Sequence, residues 1–421
     1  MLRLSLRIGA KITIILNLPY FVSKRINSTE KGSFSGTIHK IAIASVALGI
    51  AIMVVSFMIL GGFQNSIKDK IYSFSGHIQI KKFTLTNSYE EAPIVLDDER
   101  KEMVLADPHV RHIQEFAHKP GLISMNDEVF GLLFKGMGPS FDTTAFRPYM
   151  VEGTFPVLSD TGRFTNEVII SEKQARQMQV GVGDRIVSYF IMDPPKTRSL
   201  IVKGIFSSGL EDFDSQIVIG DIKLIRSLNA WEDNQVGGYE VFINDLDKIE
   251  EADDDLVQYL SVEHYTERMD VKFSNIFDWL NLLAQNVHIL IGLILFVACF
   301  NMISVLFILI MERTSMIGSF KAFGATNKLI RRIFTFNGVR LVLKGLLVGN
   351  AIALLFGWVQ YTYKVIPLEA STYYMDHVPI DWDWVNFAGL NLLTLVLVGL
   401  TLVLPTAIIS RVSPVKAIRF D

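Results

Sequence analysis

The stretch VHILIGLILFVACFNMISVLFILIMERTSMIGSFKAFGAT, residues 287–326, decides how this chain folds. Its part 287–311 contains no Asp, Glu, Lys or Arg. At about 1.5 Å of rise per residue, a helix of that length crosses a bilayer with some tilt. Glu312 and Arg313 follow at once, which places the end of the apolar run at the polar edge of the bilayer. The sequence therefore predicts a transmembrane helix over 287–311.

A short amphipathic helix is expected directly after this span. Four apolar residues share one of its faces at helical spacing, namely Met316, Ile317, Phe320 and Phe323. Gly324 is placed to end the helix, because glycine adopts the left-handed conformation without steric cost, and Thr326 is placed to cap the next one. An exposed apolar face usually has a partner. Spacing alone fits a segment resting on the membrane surface equally well.

Charge is distributed unevenly along the 421 residues, although the net charge is only −3. Residues 64–283 contain 36 acidic and 22 basic residues, whereas the rest of the chain contains 7 acidic and 18 basic ones. Half of the residues are hydrophobic and the mean hydropathy is +0.34, which is too apolar for a typical soluble protein. Because basic residues favour the cytoplasmic side of membrane proteins, the basic flanks are expected inside and the acidic segment outside.

These patterns predict four transmembrane helices, with a large mixed α+β domain inserted between the first and the second on the outer side of the membrane. Short β-rich runs alternate with helical patterns in that domain, and we expect two lobes that divide near residues 135–163. The expected segments are a cytoplasmic N-terminal amphipathic segment (1–40), the first span (41–63), the outer domain (64–264), a stalk helix (265–286), the second span (287–311), a short cytoplasmic helix (312–326), a cytoplasmic or interfacial helix (327–344), the third span (345–363), an outer loop (364–383), the fourth span (384–410) and a cytoplasmic tail (411–421).

Motifs for catalysis are missing from the sequence. It contains no G-x-x-x-x-G-K-[ST], G-x-S-x-G, H-E-x-x-H or C-x-x-C pattern, so neither a Walker-type ATP site nor a common hydrolase site is expected. The acidic runs 97–99 and 253–255 lack the spacing of a calcium loop, and solvated helix starts explain them better. Cys299 lies within an apolar run, where a structural thiol is expected. We expect no catalytic residue, no metal site and no nucleic-acid partner.

Several segments, taken in order, resemble the permease subunits of lipoprotein-releasing ABC transporters, the LolC/LolE family within the MacB/FtsX-like permease group. The resemblance extends over roughly residues 20–421. The segments that carry it are FVSKR (21–25), ALGI (47–50), GGF (61–63), HIQI (77–80), VGD (182–184), VKGIF (202–206) with Gly209, NM (301–302), IG (317–318), FGAT (323–326) and PVKAIR (414–419).

The resemblance implies a pair of permease chains, identical or different, bound to a cytoplasmic LolD-like ABC ATPase dimer. ATP and Mg would be bound by the ATPase and no cofactor by this chain, which is then a non-catalytic subunit of the bacterial inner membrane. The resemblance also makes the helix over 312–326 a coupling helix, and it makes the α+β domain (64–264) and the loop (364–383) periplasmic. Mechanotransmission through the stalk would extract lipoproteins from the outer leaflet for transfer toward the outer membrane, in contact with membrane lipids and a periplasmic lipoprotein chaperone. The family's protruding chaperone-docking hairpin corresponds here only to the short turn 190–197.

The resemblance also gives three groups of residues a role. Those expected to contact the ATPase are Glu312, Arg313, Met316, Ile317, Phe320, Lys321, Phe323 and Gly324. Those expected to face lipid and line the entry of the cargo are Met53, Phe57, Phe296 and Phe300. Those expected along the stalk, at helical spacing, are Phe273, Phe277 and Leu280.

Two other functions fit the same layout. The first is a MacB-like exporter of another amphiphile or peptide. The second is an FtsX-like regulator of cell-wall hydrolases that transports nothing. The size of the periplasmic domain favours a transporter, because the regulator's domain is usually smaller.

Overall fold

The computed structural model describes residues 34–85, 88, 90–125, 128–158, 164–407 and 409. Within this set the chain forms two compact units. The membrane unit contains the described residues up to Phe63, then Asn281–Val365 and those from Pro379 onward. The extramembrane unit contains Gln64–Leu280 and Ile366–Val378. Most of the predicted N-terminal segment 1–40 and the whole tail 411–421 lie outside the described residues.

The helices and strands are numbered here in chain order. The helices are α1 (Phe34–Ser75), α2 (Asp98–Ala106), α3 (Thr143–Phe146), α4 (Glu172–Met178), α5 (Glu211–Gln216), α6 (Ile222–Asn229), α7 (Ile249–Tyr259), α8 (Met269–Lys272), α9 (Ser274–Glu312), α10 (Thr314–Ala322), α11 (Asn327–Tyr363), α12 (Ala370–Tyr373), α13 (Trp384–Thr401) and α14 (Val403–Ala407). The strands are β1 (Ile78–Lys82), β2 (Val110–Met125), β3 (Glu128–Met137), β4 (Met150–Gly153), β5 (Glu167–Ser171), β6 (Arg185–Phe190), β7 (Lys196–Phe206), β8 (Ile217–Asp221), β9 (Gly238–Ile243) and β10 (His264–Arg268).

Four helices among the described residues are long and apolar enough to cross a membrane. They cover Gly36–Ser75, Ser274–Glu312, Asn327–Tyr363 and Trp384–Ala407. A mixed α+β domain lies between the first two, so the predicted fold class is confirmed. The first helix, α1, has 42 residues and therefore continues well beyond the apolar run 41–63 from which its span was predicted.

Small residues bring α1 and α11 close together in the membrane unit. A Cβ atom at Gly345 would lie 2.6 Å from the Val46 side chain, and one at Gly349 would lie 1.8 Å from Ile50. Helices in lipid associate through close packing and hydrogen bonds, because burial from water no longer drives them together. Asn350 of α11 adds a hydrogen bond of 2.6 Å to Asn391 of α13.

One ten-stranded sheet runs through the extramembrane unit. Its main order is β10-β1-β9-β2-β3-β8-β5-β7-β4, and β6 pairs with both β2 and β7. Strand β8 pairs with β3 on one side and with β5 on the other, and a single apolar core contains residues from both halves. Strand pairing therefore continues across the expected division near residues 135–163, and the division into two lobes stays a prediction.

The predicted stalk helix begins nine residues later than expected, since α9 starts at Ser274 rather than at 265. Residues 264–268 form β10 instead, which pairs antiparallel with β1 and places Ile78 opposite Arg268. Arg268 is held there by ion pairs to Glu250 and Asp270 at 3.0 and 2.7 Å. The edge of β1 offers backbone hydrogen bonds to residues 264–268, and helical spacing in the sequence does not reveal this pairing. The prediction of helix over 265–268 is therefore wrong.

A buried ion pair joins the end of α1 to the sheet within the extramembrane unit. The Lys135 ammonium donates to Glu240 at 2.5 Å and also to the carbonyl of Phe74, near the end of α1. The other Glu240 oxygen accepts from Gln114 Nε2 at 2.7 Å. Both charged side chains are buried, so each depends on its partner to offset the loss of water.

Candidate functional site

The short helix α10 lies where the sequence predicted a coupling helix. Arg313 separates it from α9, and Phe323 is its C-cap. Gly324 follows with φ of +86°, and the Ala325 amide donates back to the Phe320 carbonyl at 2.9 Å. The Thr326 side chain accepts from the Leu329 amide and so caps α11. The predicted roles of Gly324 and Thr326 in this turn agree with the observed backbone.

The apolar face of α10 is only partly exposed. Ile317 is 0 % exposed, and Met316 and Phe320 pack against the apolar core of the membrane unit. Phe323, by contrast, is 89 % exposed. The expectation of a single exposed face over all four residues is therefore corrected: three of them attach α10 to its own chain. Phe323 is the large apolar side chain that this segment presents.

The other residues predicted to contact the ATPase also differ in exposure. Glu312 and Gly324 are exposed, and Arg313 is half-buried. The Lys321 ammonium donates to the Ile409 carbonyl at 2.7 Å, and partial burial lowers the pKa of Lys321. Arg331 of α11 likewise donates to the Ala407 carbonyl at 3.3 Å. Lys321 therefore ties α10 to the chain that follows α14.

The predicted cargo-entry residues do not share one surface. Met53 is 1 % exposed and belongs to the core of the membrane unit, so the expectation that it faces lipid is wrong. Phe57 is partly buried and lies edge-on to His288, with ring centroids 5.8 Å apart. Phe296 and Phe300, at 61 % and 57 % exposure, are one turn apart on α9 with centroids separated by 4.7 Å. Of the four predicted entry residues, Phe296 and Phe300 are the two that form an exposed aromatic pair.

The predicted stalk residues contact other parts of the extramembrane unit. The Phe273 ring lies 5.9 Å from Phe213, and the Phe277 ring lies 5.8 Å from Tyr72 of α1. Leu280 is buried. The first turns of α9 are therefore packed against the unit rather than projecting from it.

Three glycines without a predicted role turn out to be close-contact positions. In the membrane unit, a Cβ at Gly62 would lie 2.6 Å from the Pro379 carbonyl, and one at Gly61 would lie 2.9 Å from the Asp381 carboxylate. In the extramembrane unit, Gly209 has φ of +71° and faces the Tyr374 carbonyl. All three lie among the residues that carry the resemblance to the LolC/LolE family, but a glycine in a sequence does not reveal which segment approaches it.

No cluster of three or more His, Cys, Asp or Glu side chains arranged to hold a metal occurs among the described residues. His118 and His112 instead contact hydrogen-bond partners of the protein. His118 Nδ1 lies 2.7 Å from Glu91, and His112 Nε2 lies 2.8 Å from the Ser140 carbonyl.

Two protein-family models match the chain. The MacB-like periplasmic core domain matches residues 41–259, and the FtsX-like permease C-terminal domain matches residues 288–414. Together they cover most of the extramembrane unit and most of the four long apolar helices, and residues 260–287 lie between the two matches. Among solved structures, the periplasmic region of MacB from Actinobacillus actinomycetemcomitans aligns with 47 % of this chain and 91 % of its own, at 12 % identity and a TM-score of 0.34.

Curated relatives are similar over nearly the whole length. The lipoprotein-releasing system transmembrane protein LolC of Xylella fastidiosa (strain Temecula1 / ATCC 700964) is 19 % identical, covering 97 % of this chain and 99 % of the relative. LolC of Neisseria meningitidis serogroup B is 22 % identical, with 94 % and 97 % covered. LolE of Haemophilus influenzae is 20 % identical, with 96 % and 99 % covered. The chain therefore belongs to the family of ABC transporter permeases that join a MacB-like periplasmic core domain to an FtsX-like permease region, and it resembles the LolC and LolE proteins of that family.

Proposed function

We propose that this chain is a permease subunit that extracts lipoproteins from the outer leaflet of the bacterial inner membrane, using ATP hydrolysed by a partner ATPase. The observation that carries the proposal is the similarity to LolC and LolE proteins from one end of the chain to the other. A second permease chain and a LolD-like ATPase dimer would complete the transporter. ATP and Mg would be bound by the ATPase.

The proposed orientation places both termini in the cytoplasm and the extramembrane unit in the periplasm. The distribution of charge supports it, because residues 64–283 have a net charge of −14 and the remainder of the chain a net charge of +11. Basic flanks remain on the cytoplasmic side of most membrane proteins. The α10 segment then faces the cytoplasm, where an ATPase subunit would reach it.

The exposed Phe323 side chain supports docking of the ATPase at the end of α10. A large apolar side chain in water gains free energy by entering a partner's pocket, and residues of this kind dominate many interfaces. Met316, Ile317 and Phe320 would act differently, by holding α10 to the membrane unit so that a force applied at Phe323 moves the helices with it.

The length of α9 supports mechanotransmission. It runs for 39 residues, from Ser274 to Glu312, and α10 begins two residues after its end. A continuous helix keeps all its internal backbone hydrogen bonds, so an axial displacement at one end reaches the other without breaking any of them. In this proposal, movement at Phe323 passes through α9 to the extramembrane unit.

The exposed aromatic pair Phe296 and Phe300 supports an entry for acyl chains on α9. The rings offer an apolar surface that lipid or a cargo's acyl chains can cover. The proposed entry leaves out Met53, which is buried, and Phe57 would contribute only part of its surface.

Depletion of the protein in its host, followed by membrane fractionation, tests the proposal. We expect triacylated lipoproteins that normally reach the outer membrane to accumulate in the inner membrane. Normal lipoprotein distribution would contradict lipoprotein release. Loss of cell-wall hydrolase activation instead would support the FtsX-like regulator, and loss of export of another amphiphile would support the MacB-like exporter.

A further inference from the structure

The segment between α11 and α13 folds as a hairpin on the extramembrane unit. Its arms are joined by backbone hydrogen bonds from Leu368 to Asp376 at 2.8 Å and from Val378 to Ile366 at 3.1 Å. Met375 and Val378 are buried. We call residues 366–378 the outer hairpin. The sequence predicts only a periplasmic loop over 364–383, whereas in the structure the outer hairpin is hydrogen-bonded and packed on the extramembrane unit.

Lys70 of α1 holds the tip of the outer hairpin. Its ammonium donates to the Tyr374 carbonyl at 2.6 Å. The charges of Asp376, on the hairpin, and of Asp214 act on the same ammonium. Tyr374 itself has φ of +60°, a conformation that few side chains adopt, so its carbonyl is turned toward Lys70 at a local conformational cost.

The loop after β7 forms the other side of this contact. The Asp214 carboxylate accepts from the Ser208 hydroxyl at 2.6 Å and from the Gly209 amide at 2.9 Å, which fixes the loop. Gly209 then faces the Tyr374 carbonyl so closely that a Cβ would lie 2.8 Å from that oxygen. Only glycine allows this approach, because the position combines a positive φ with contact to backbone.

Trp279 of α9 provides a third contact, with its ring 6.2 Å from that of Tyr374 in an edge-on arrangement. The outer hairpin is therefore held by α1, by the loop after β7 and by α9. Sequence continuity joins its two ends to the helices α11 and α13.

We propose that the outer hairpin transmits movement between the extramembrane unit and the third and fourth spans, with Lys70 as the positioning residue that keeps it docked. This inference rests on the proposed function, in which the extramembrane unit moves during transport. A loop that merely connects two spans needs no buried contacts. An element held on both moving helices, α1 and α9, shifts whenever they shift and pulls on α11 and α13.

Two variants test this in the complete complex. Lys70→Met keeps the aliphatic stem and removes the hydrogen bond to Tyr374. In the second variant, a Gly-Ser-Gly linker replaces residues 367–377, since the hydrogen bond between Val378 and Ile366 shows that the ends are already adjacent. Lys68→Met is the matched control, because the Lys68 ammonium makes no hydrogen bond or ion pair with any described residue.

The first readout is docking, measured as hydrogen exchange of the 366–378 amides, which needs neither cargo nor ATP. We expect faster exchange in Lys70→Met than in Lys68→Met. The second readout is triacylated reporter lipoprotein released per ATP hydrolysed. We expect a fall of about tenfold in the linker variant with ATP hydrolysis retained, a usual size for coupling between sites.

Each outcome separates the two claims. Unchanged exchange in Lys70→Met would overturn the role of Lys70. Unchanged release per ATP in the linker variant would overturn transmission through the outer hairpin. Failure of the wild-type complex to release lipoprotein would contradict the proposed function instead.

Discussion

Different interactions stabilise the interior of the membrane unit and the interior of the extramembrane unit. In the membrane unit, glycines such as Gly345 and Gly349 let α11 approach α1 until no space for one more carbon remains. In the extramembrane unit, strands pair through backbone hydrogen bonds around an apolar core, and the buried Lys135–Glu240 pair joins the end of α1 to the sheet. Burial of apolar surface from water drives folding of the extramembrane unit, whereas close packing between helices stabilises the membrane unit.

This difference predicts which changes each unit tolerates. Adding a methyl group at a helix contact should damage the membrane unit, and removing a charge should damage it less. Removing one member of a buried ion pair, or protonating a buried imidazole, should damage the extramembrane unit.

Lys135→Met is expected to have the largest effect. It leaves the Glu240 carboxylate buried without its cation, at a cost of about 3–5 kcal/mol. Hydrogen exchange of the β9 amides in the full-length protein measures the loss. Lys82→Met is the matched control, because its ion pair with Glu263 is exposed and such pairs contribute at most about 1 kcal/mol. Equal effects of the two variants would show that burial does not set the cost.

Acid should destabilise the extramembrane unit through His77. Burial, with a smaller contribution from the Arg111 charge, lowers the pKa of His77 to about 4. Its Nδ1 accepts from the Ile243 amide at 2.8 Å, so the folded state needs the neutral imidazole. In the unfolded chain histidine titrates near about 6.5, so the unfolded state binds the extra proton between these two values.

Stability should therefore be complete above about pH 6.5 and decline toward pH 4, by up to about 3 kcal/mol from this group. Unfolding of wild type and His77→Gln across that range measures it, since the difference between them isolates His77 from the carboxylates. Parallel pH profiles for the two proteins would refute the assignment. The stability that the membrane unit gains from helix packing at Gly349 should not depend on pH in this range.

Phe323→Asp tests the exposed end of the membrane unit. We expect the variant to fold normally, because Phe323 contributes little to its own core, and to lose at least about 2 kcal/mol of affinity for the ATPase. Co-purification of the ATPase with the tagged chain measures this. The control variant is Val365→Asp, because Val365 is also exposed and lies two residues beyond the C-terminal end of α11, and it should keep the ATPase bound. Retention of ATPase by both variants, with normal transport, would remove Phe323 from the interface.

Gly349→Ala should have the smallest effect of the four and act only on the membrane unit. Its Cβ would lie 1.8 Å from Ile50 and 2.5 Å from the Ala47 carbonyl, so α1 and α11 must separate, at roughly 1–3 kcal/mol. Thermal unfolding in detergent or nanodiscs checks this. At Gly389 the same substitution meets no atom within 4 Å and should be neutral. If both alanines are neutral, close packing does not hold this unit.

Composition and spacing were sufficient to predict the spans and the insertion of an α+β domain, because long apolar runs have few alternative explanations. They were insufficient for α10. Helical spacing identified the apolar face of Ile317 and Phe323 but not which residues the chain's own core would cover. Residues 264–268 show a similar limit, since the edge of β1 that they pair with lies far away in sequence.

The outer hairpin was beyond sequence reasoning for another reason. Gly209 and Tyr374 are 165 residues apart, and neither has a neighbour in sequence that indicates the contact. The hydrogen bond from Lys70 to a backbone carbonyl cannot be predicted from the sequence either, because every residue has a backbone carbonyl. Such contacts follow from tertiary structure, and the structure alone placed them.

Reconstitution tests the central claim most directly. The full-length chain, purified with the proposed ATPase and second permease chain, is placed in proteoliposomes that contain a triacylated lipoprotein. The account predicts release of the lipoprotein on addition of ATP and Mg, and loss of that release in Phe323→Asp. Lipoprotein that stays in the bilayer while ATP is hydrolysed by the wild-type complex would contradict it.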